Sequence, residues 1–300
     1  MYDLIIRPFV RSMDPEKASA VALSYFKFIG RIPAGRLLNR WIHNNRPSGL
    51  QREVFGISFY NPLGLGAGLD LNGDLYNDLN DLGFSFIEIG PLDAKGMRNA
   101  ISNLQEDPQD DILAACINKD FQTAFTLGYD FCDFFVIDIS EESGCFEEIL
   151  NPILETRLSY DVYRPIVVKL PEEIAQPELE TIVDFCLMNG IDGMEARNLE
   201  QIKLISGCSS GRMPIIANCH IKTPEQAART LEAGAALIEV RTGLVTQGPK
   251  LVSRILKHLI SLKKTTQPCQ QKQESETSSE VPDSPSALQN PAPEDKSPIS

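Results

Sequence analysis

Eight short apolar runs between residues 63 and 241 constrain the fold more than any other feature of the sequence. They alternate with segments of helical periodicity, which is typical of βαβ units and a parallel sheet. The predicted strands are Leu63–Ala67, Phe84–Ile89, Phe134–Ile139, Ile166–Leu170, Gly193–Arg197, Pro214–Asn218, Leu237–Arg241 and, with a weaker pattern, Ile112–Cys116. Eight parallel strands in one chain indicate a closed (β/α)8 TIM barrel, in preference to an open doubly wound sheet.

Helical patterns lie between these strands and at both ends of the chain. The helices predicted within and after the barrel include Asn72–Leu82, Pro177–Asn189, Thr223–Ala233 and Pro249–Lys264. The last residues are rich in Ser, Pro, Gln and Glu and cannot bury enough apolar surface to offset their ordering entropy. We therefore predict a small N-terminal helical segment (residues 1–48), the barrel (49–262) and a disordered C-terminal tail (263–300).

The first predicted strand lies in the glycine-rich stretch NPLGLGAGLDLNG, from Asn61 to Gly73. Closely spaced glycines before a turn-like Asp-Leu-Asn-Gly favour a buried strand that presents its backbone to a ligand. A core strand that ends in a tight loop has the same spacing. The glycines alone leave both interpretations open.

Composition excludes several classes of protein. A net charge of −13 without a concentrated basic patch argues against nucleic-acid binding, because neutralising phosphates requires clustered Lys and Arg. The seven cysteines are scattered, without CxxC pairs or a His partner at metal spacing. We therefore predict neither disulfides nor a metal site, and a reducing cytoplasm.

The N-terminal segment has a short apolar run with an early acidic residue, so we predict no cleavable signal peptide and, along the chain, no membrane span. A helical pattern runs from Asp14 to Asn44 and includes a second helix at Ala34–His43. Basic residues beside aromatics such as Phe28 and Trp41 favour a helix pair on the inner face of the cell membrane. A helical hairpin packed on its own domain explains the same stripe.

Several motifs follow one another in a characteristic order. They are NPLGLGAGLD, DLGFSFIEIG, FFVIDIS, PIVVKLPEEI, GIDGMEARN and RMPIIANCHIKTPEQAARTLEAGAALIEVRTGLVTQGPKLV. In this order and spacing they resemble the dihydroorotate dehydrogenase family, and the N-terminal RPFVRSMDPEKA resembles its quinone-dependent, membrane-associated class. The resemblance implies a TIM barrel that holds flavin mononucleotide (FMN) at the C-terminal ends of its strands. It also implies oxidation of dihydroorotate to orotate in pyrimidine synthesis, with a serine base and a quinone acceptor.

Some positions match the family's motifs. The resemblance assigns FMN contacts to Ala67, Gly68, Lys169, Thr242 and Gly243. It assigns a substrate contact to Asn198. Lys169 has a second interpretation, in which it pairs only with a neighbouring acid such as Glu195 or Glu239.

Other positions depart from the family. Leu71 stands where the family has a lysine at the flavin and substrate, and Pro91 stands where it has a threonine. The serine base falls on Glu141, which we take as the candidate catalytic base because burial can raise the pKa of a carboxylate. Two substrate-binding asparagines have become Asp138 and Ser143, and added acids repel an anionic substrate.

The family's Gly-Val-Gly-Gly phosphate site is replaced by ANCH, beginning at Ala217, whose side chains obstruct a phosphate cradle. Arg241 adds a charge suited to phosphate, and His220 is either a second donor or a satisfied structural residue. The loops after several strands are short, as between Ser140 and Pro165. In a barrel, such loops build the active-site face.

Three functional hypotheses follow. The favoured one is a dihydroorotate-dehydrogenase-like barrel that is catalytically degenerate and has a structural or regulatory role with an unidentified protein partner. The second is an active FMN-dependent oxidoreductase that oxidises dihydroorotate or a related substrate, with Glu141 as its base, Lys169 on the flavin and quinone as its acceptor. The third is a barrel that binds a different phosphate ligand through Arg241 and His220.

Overall fold

Eight parallel strands close into a barrel. They are β3 Leu63–Leu65, β4 Phe86–Leu92, β5 Ile112–Ile117, β6 Phe134–Asp138, β7 Ile166–Lys169, β8 Gly193–Ala196, β9 Ile215–Ala217 and β10 Leu237–Glu239. Neighbours in sequence are neighbours in the barrel, and β10 pairs with β3 to close it. The computed structural model describes residues 2–10, 12–32, 47–106 and 111–276. The predicted (β/α)8 barrel is confirmed, with each strand within a few residues of its expected place.

Helices precede the barrel, connect its strands and follow it. They are α1 Tyr2–Ile5, α2 Arg7–Val10, α3 Pro15–Arg31, α4 Tyr76–Asn80, α5 Ala94–Glu106, α6 Phe121–Gly128, α7 Phe146–Arg157, α8 Gln176–Met188, α9 Leu199–Cys208, α10 Pro224–Glu232, α11 Thr242–Gln247 and α12 Lys250–Glu276. Helix α10 begins with a capping box: Thr223 Oγ1 accepts a hydrogen bond from the Gln226 backbone N–H, and Gln226 Oε1 accepts one from the Thr223 N–H.

Two helix boundaries differ from expectation. Helix α4 is shorter than Asn72–Leu82, because Asp70 fixes the preceding residues in a turn by accepting backbone hydrogen bonds from Asp74 and Leu75. Helix α12 continues past Lys264 to Glu276 through residues rich in Gln, Lys and Glu, which favour helix. Of the tail predicted at 263–300, residues 263–276 belong to α12 and residues 277–300 lie outside the described residues, as does the predicted helix at 34–43. Residues 1–261 form one compact unit, which holds the barrel.

Inside the barrel, an apolar layer lies beneath a charged one. The apolar layer includes Phe86 and Phe134, whose ring centroids are 5.7 Å apart. Gly64 leaves room for this packing, because a Cβ atom there would lie 2.2 Å from the Phe86 ring. Glu88 follows Phe86 by two residues on β4, and Glu239 follows Leu237 by two residues on β10; both glutamates are buried. Because every second side chain of a strand points into the barrel, inward residues two positions apart form two stacked layers.

An antiparallel hairpin precedes the barrel and was not predicted. Its strands are β1 Arg52–Val54 and β2 Ile57–Phe59, and Phe59 packs against the apolar layer. Its turn places Phe55 and Gly56 at φ 57° and 76°, in the left-handed region. Such turns usually have Asn-Gly at these two positions, and an aromatic residue seldom occupies the left-handed region. Because this turn has Phe-Gly instead, the sequence lacks the usual signal of a hairpin.

The N-terminal helices pack on the barrel unit through aromatic side chains. The Tyr2 hydroxyl donates a hydrogen bond to the carbonyl of Val245 in α11, and the Tyr2 ring contacts Tyr25 and Phe26 of α3. Part of the apolar stripe on α3 is therefore buried against the protein itself, as the hairpin alternative expected. Within the described residues, no helix combines the length and the hydropathy that crossing a membrane requires.

Candidate functional site in the barrel mouth

The charged layer lies near the C-terminal ends of the strands, below the opening that we call the barrel mouth. Its members are Glu88, Cys116, Asp138, Lys169, Glu195, Asn218 and Glu239. Six of them follow an apolar inward residue by two positions and Glu195 follows Gly193, so the same alternation that builds the core places these groups in the barrel. All except Asp138 are buried.

Lys169 provides the positive charge in this layer. Its Nζ lies 3.2 Å from Glu195 Oε1, 3.7 Å from Asp138 Oδ2 and 3.9 Å from Glu88 Oε1. Burial acts to lower the pKa of the ammonium, but the surrounding negative groups outweigh burial and hold the pKa well above its usual range. Lys169 is therefore charged at neutral pH, and the pairing with Glu195 that the sequence allowed is present.

The three buried glutamates face one another. One carboxylate oxygen from each of Glu88, Glu195 and Glu239 lies within 4.8 Å of the other two. Asn218 Nδ2 donates a hydrogen bond of 3.0 Å to Glu195 Oε1. The other five oxygens of the three carboxylates have no hydrogen-bond partner outside this cluster within the described ranges. At an effective dielectric constant of about 20, like charges this close repel by roughly 3–4 kcal/mol per pair.

Burial also changes the protonation of these acids. It raises the pKa of Glu195 to about 7, an effect that the charge of Lys169 opposes. Burial and the charges of Glu88 and Glu195 raise the pKa of Glu239 well above its usual range. The layer carries more negative charge than one ammonium balances.

Arg241 occupies the face of the glycine-rich stretch in the mouth. A Cβ atom on Gly68 would lie 2.3 Å from Arg241 Nη1, and this nitrogen donates a hydrogen bond of 3.4 Å to the Ala67 carbonyl. The Gly68 backbone N–H donates to the Gly90 carbonyl at 2.7 Å. Two positions that the resemblance assigned to FMN are thus in contact with the chain's own groups.

The first residues of α11 are also in contact with another part of the chain. A Cβ atom on Gly243 would lie 2.1 Å from the Ile221 carbonyl oxygen. A backbone acceptor therefore abuts the segment, Thr242 and Gly243, where the resemblance places contacts to a phosphate-bearing flavin. An acceptor disfavours an anion at this position.

The remaining predicted site residues lie apart from the charged layer. Glu141 is exposed on the loop after β6. Asn198 caps α9: its Oδ1 accepts the Gln201 N–H, and its Nδ2 donates to the Glu172 carbonyl. His220 Nε2 lies 3.9 Å from Glu172 Oε1, and the His220 side chain is 45% exposed. The structure thus brings Lys169 into a cluster of acids and leaves these three residues outside it.

Sequence reasoning missed Glu88 and Cys116 as parts of the layer. The signal was the period-2 pattern: Glu88 follows Phe86 by two residues in an otherwise apolar strand, and Cys116 follows Ala114 in the same way. Burying a charged side chain on the inward side of a barrel strand costs free energy, so such a residue indicates a paired or functional group.

Comparisons with known proteins agree with this fold. No protein-family model matches the chain. It is 24% identical to a dihydroorotate dehydrogenase (quinone) from Christiangramia forsetii, over 85% of this chain and 97% of that protein. It is 26% identical to a dihydroorotate dehydrogenase (quinone) from Haemophilus influenzae, over 86% of this chain and 100% of that protein. The chain is thus similar, at 24–26% identity and over most of its length, to quinone-dependent dihydroorotate dehydrogenases.

Solved structures of dihydroorotate dehydrogenases share the fold. The ligand-free enzyme from Eimeria tenella superposes with a TM-score of 0.68 at 17% identity, covering 77% of this chain and 94% of that one. The complex of the Eimeria tenella enzyme with ferulenol gives a TM-score of 0.67 at 16% identity.

Within the aligned region, this chain is shorter than the Christiangramia forsetii protein. The alignment runs over 331 positions with the Christiangramia forsetii dihydroorotate dehydrogenase but takes up 85% of 300 residues, about 255. About 76 aligned positions therefore lack a residue of this chain. This agrees with the short loops noted in the sequence.

Proposed function

We propose that this protein is a dihydroorotate-dehydrogenase-like barrel that has lost the family's oxidation chemistry and serves a structural or regulatory role. The observation that carries the proposal is Arg241, whose guanidinium lies against Gly68 and the Ala67 carbonyl. These backbone positions are where a flavin would lie by resemblance. The residues of the mouth, with Arg241 in this place, do not fit FMN.

The charges of the mouth support the same proposal. The family's lysine is replaced by Leu71, which is 49% exposed, and the cationic Lys169 is already engaged by carboxylates. Dihydroorotate is an anion, and the excess of buried acids beneath the mouth opposes its approach. Glu141 is exposed to solvent, without the burial that would make a carboxylate an effective base.

Activity measurements test this proposal. Protein purified and incubated with FMN should not reduce a quinone analogue in the presence of dihydroorotate, and Glu141→Gln should leave this zero rate unchanged. Dihydroorotate-dependent reduction that falls at least about 100-fold in Glu141→Gln would overturn the proposal, since loss of a general base costs about that much.

A second candidate function is an active FMN-dependent oxidoreductase that passes electrons to quinone at a membrane surface. It is favoured by one feature, an apolar hollow of about 480 Å³ between α1 and α3 that is lined by residues including Ile5, Val21 and Phe28. Leu4, Phe9 and Phe28 are exposed nearby, by 84%, 61% and 61%. Exposed apolar side chains on an amphipathic helix suit a membrane interface and a lipid-soluble quinone.

Flotation with liposomes tests the membrane part of this candidate. The full chain should float with the vesicles, and the double substitution Phe9→Ser and Phe28→Ser should abolish flotation because it removes the exposed aromatic area. Leu158→Ser, at a side chain that is 84% exposed on the barrel, is the matched control and should float normally. A full chain that stays at the bottom of the gradient would remove the membrane proposal.

A further inference from the structure

The geometry points to a divalent-cation site inside the barrel, with Glu88, Glu195 and Glu239 as its ligands. This inference is independent of whether FMN binds or catalysis remains. It also revises the sequence-based prediction of no metal, which considered only Cys and His ligands.

The first argument is the arrangement of the ligand atoms. The three oxygens that lie within 4.8 Å of one another come from β4, β8 and β10, three strands of a rigid barrel. Ligand oxygens around Mg²⁺, Mn²⁺ or Ca²⁺ lie about 2.0–2.6 Å from the ion, so pairs of them are separated by roughly 3–5 Å. The observed spacing suits a hard divalent cation that prefers carboxylate ligands.

The second argument is the unsatisfied hydrogen-bonding capacity. Glu88 and Glu239 are 0% and 1% exposed, and among the described residues neither of their carboxylates has a hydrogen-bond partner outside the carboxyl cluster itself. Glu195 uses one oxygen on Asn218 and leaves Oε2 unpartnered. Buried polar atoms are nearly always satisfied, and an ion is one of the groups that satisfies them.

The third argument is charge. Lys169 Nζ is close to Glu195 Oε1 and 3.9 Å from Glu88 Oε1, so the ammonium lies to one side of the three glutamates. Four carboxyl groups, those of Glu88, Asp138, Glu195 and Glu239, share this one ammonium, and a divalent cation bound among the glutamates would compensate the negative charge that they carry when ionised. Asp138, at 17% side-chain exposure, is the member of the charged layer that is accessible to solvent.

Gly66 has no side chain where the Glu239 carboxylate and the Asn218 amide lie. A Cβ atom there would lie 2.5 Å from Glu239 Oε2 and 3.0 Å from Asn218 Nδ2. A larger residue at position 66 would push into the cluster, so the glycine allows the Glu239 carboxylate to reach the other two.

The test measures binding of Mn²⁺ to the full chain after treatment with EDTA, with electron paramagnetic resonance reporting the free ion. We expect one Mn²⁺ per chain, competed by Mg²⁺ or Ca²⁺, and a rise of Tm on adding the ion. Glu88→Gln and Glu239→Gln should each weaken binding at least about tenfold. Glu148→Gln, at an exposed acid of α7, is the matched control and should bind as the unaltered chain does.

Two outcomes would overturn the inference. One is a folded chain that shows neither bound Mn²⁺ nor a change of Tm with any of the three ions. The other is binding that persists unchanged in Glu88→Gln and Glu239→Gln, which would place the ion on the acidic surface. Because the Gln variants relieve repulsion in the ion-free protein, their Tm is compared only with and without the ion. If neither variant folds, the Mn²⁺ stoichiometry and the Tm change of the unaltered chain decide.

Discussion

At the scale of residues, the same side chains that match the family also make contacts unrelated to its chemistry. Lys169 matches the family's flavin lysine, yet its ammonium is held by the acids of the charged layer. Gly68 matches a flavin-facing glycine, yet Arg241 lies against it. A matching residue type therefore says little about its role until its neighbours are known.

Replacing Lys169 should test the electrostatic role of this residue. Lys169→Met leaves the buried carboxylates without their ammonium, so the free energy of unfolding should fall by about 3–5 kcal/mol at neutral pH, as when one partner of a buried pair is removed. Urea unfolding measures this loss. Lys17→Met, at an exposed lysine that pairs with Asp14, is the control and should change stability by less than about 0.5 kcal/mol. Equal stability of both variants would contradict the assigned role.

Asp70 should make stability depend on pH. Burial raises the pKa of its carboxyl from 3.8 to about 6. The folded state therefore binds the proton more tightly than the unfolded state, and this contribution is full below the unfolded pKa and is lost as pH rises through the folded one. Between about pH 5 and about pH 7.5 the lost contribution should amount to roughly 1–1.5 kcal/mol.

The substitution Asp70→Asn isolates this contribution, because the amide does not titrate. The difference in unfolding free energy between the two pH values should be smaller in Asp70→Asn than in the unaltered chain by roughly 1–1.5 kcal/mol. An identical pH dependence in both proteins would show that Asp70 does not titrate in this range.

At the scale of elements, strands β3 and β4 are in close contact inside the barrel. Gly64 on β3 faces the ring of Phe86 on β4, which in turn packs on Phe59 of the hairpin. The apolar layer therefore depends on a pair of residues of opposite size. Such close packing tolerates little added volume.

Adding one methyl group at this contact should be costly, and removing the ring should relieve the cost. We expect Gly64→Ala to lower the free energy of unfolding by about 2–3 kcal/mol. The additional cost of Gly64→Ala in a Phe86→Leu background should be at least about 1 kcal/mol smaller, because the clash is gone. Additive effects in this double-mutant cycle would show that the two residues do not compete for the same space.

At the scale of the whole molecule, the barrel was predictable and much of the site was not. Strand positions follow from local apolar runs, and the closed barrel follows from their number and their alternation with helices. The charged layer depends instead on which residues of each strand point into the barrel. Glu88, Glu195 and Glu239 are far apart in sequence and meet only because the barrel closes. The position of Arg241 over Gly68 likewise depends on the pairing of β10 with β3.

The central claim is that this barrel keeps the fold of the dihydroorotate dehydrogenases while its own groups occupy the positions that the resemblance assigns to flavin contacts. Titration of the purified full chain with FMN, followed by quenching of flavin fluorescence, tests it most directly. The account predicts a colourless protein and no saturable quenching. A yellow protein that binds one FMN per chain, and is bleached by dihydroorotate, would contradict it.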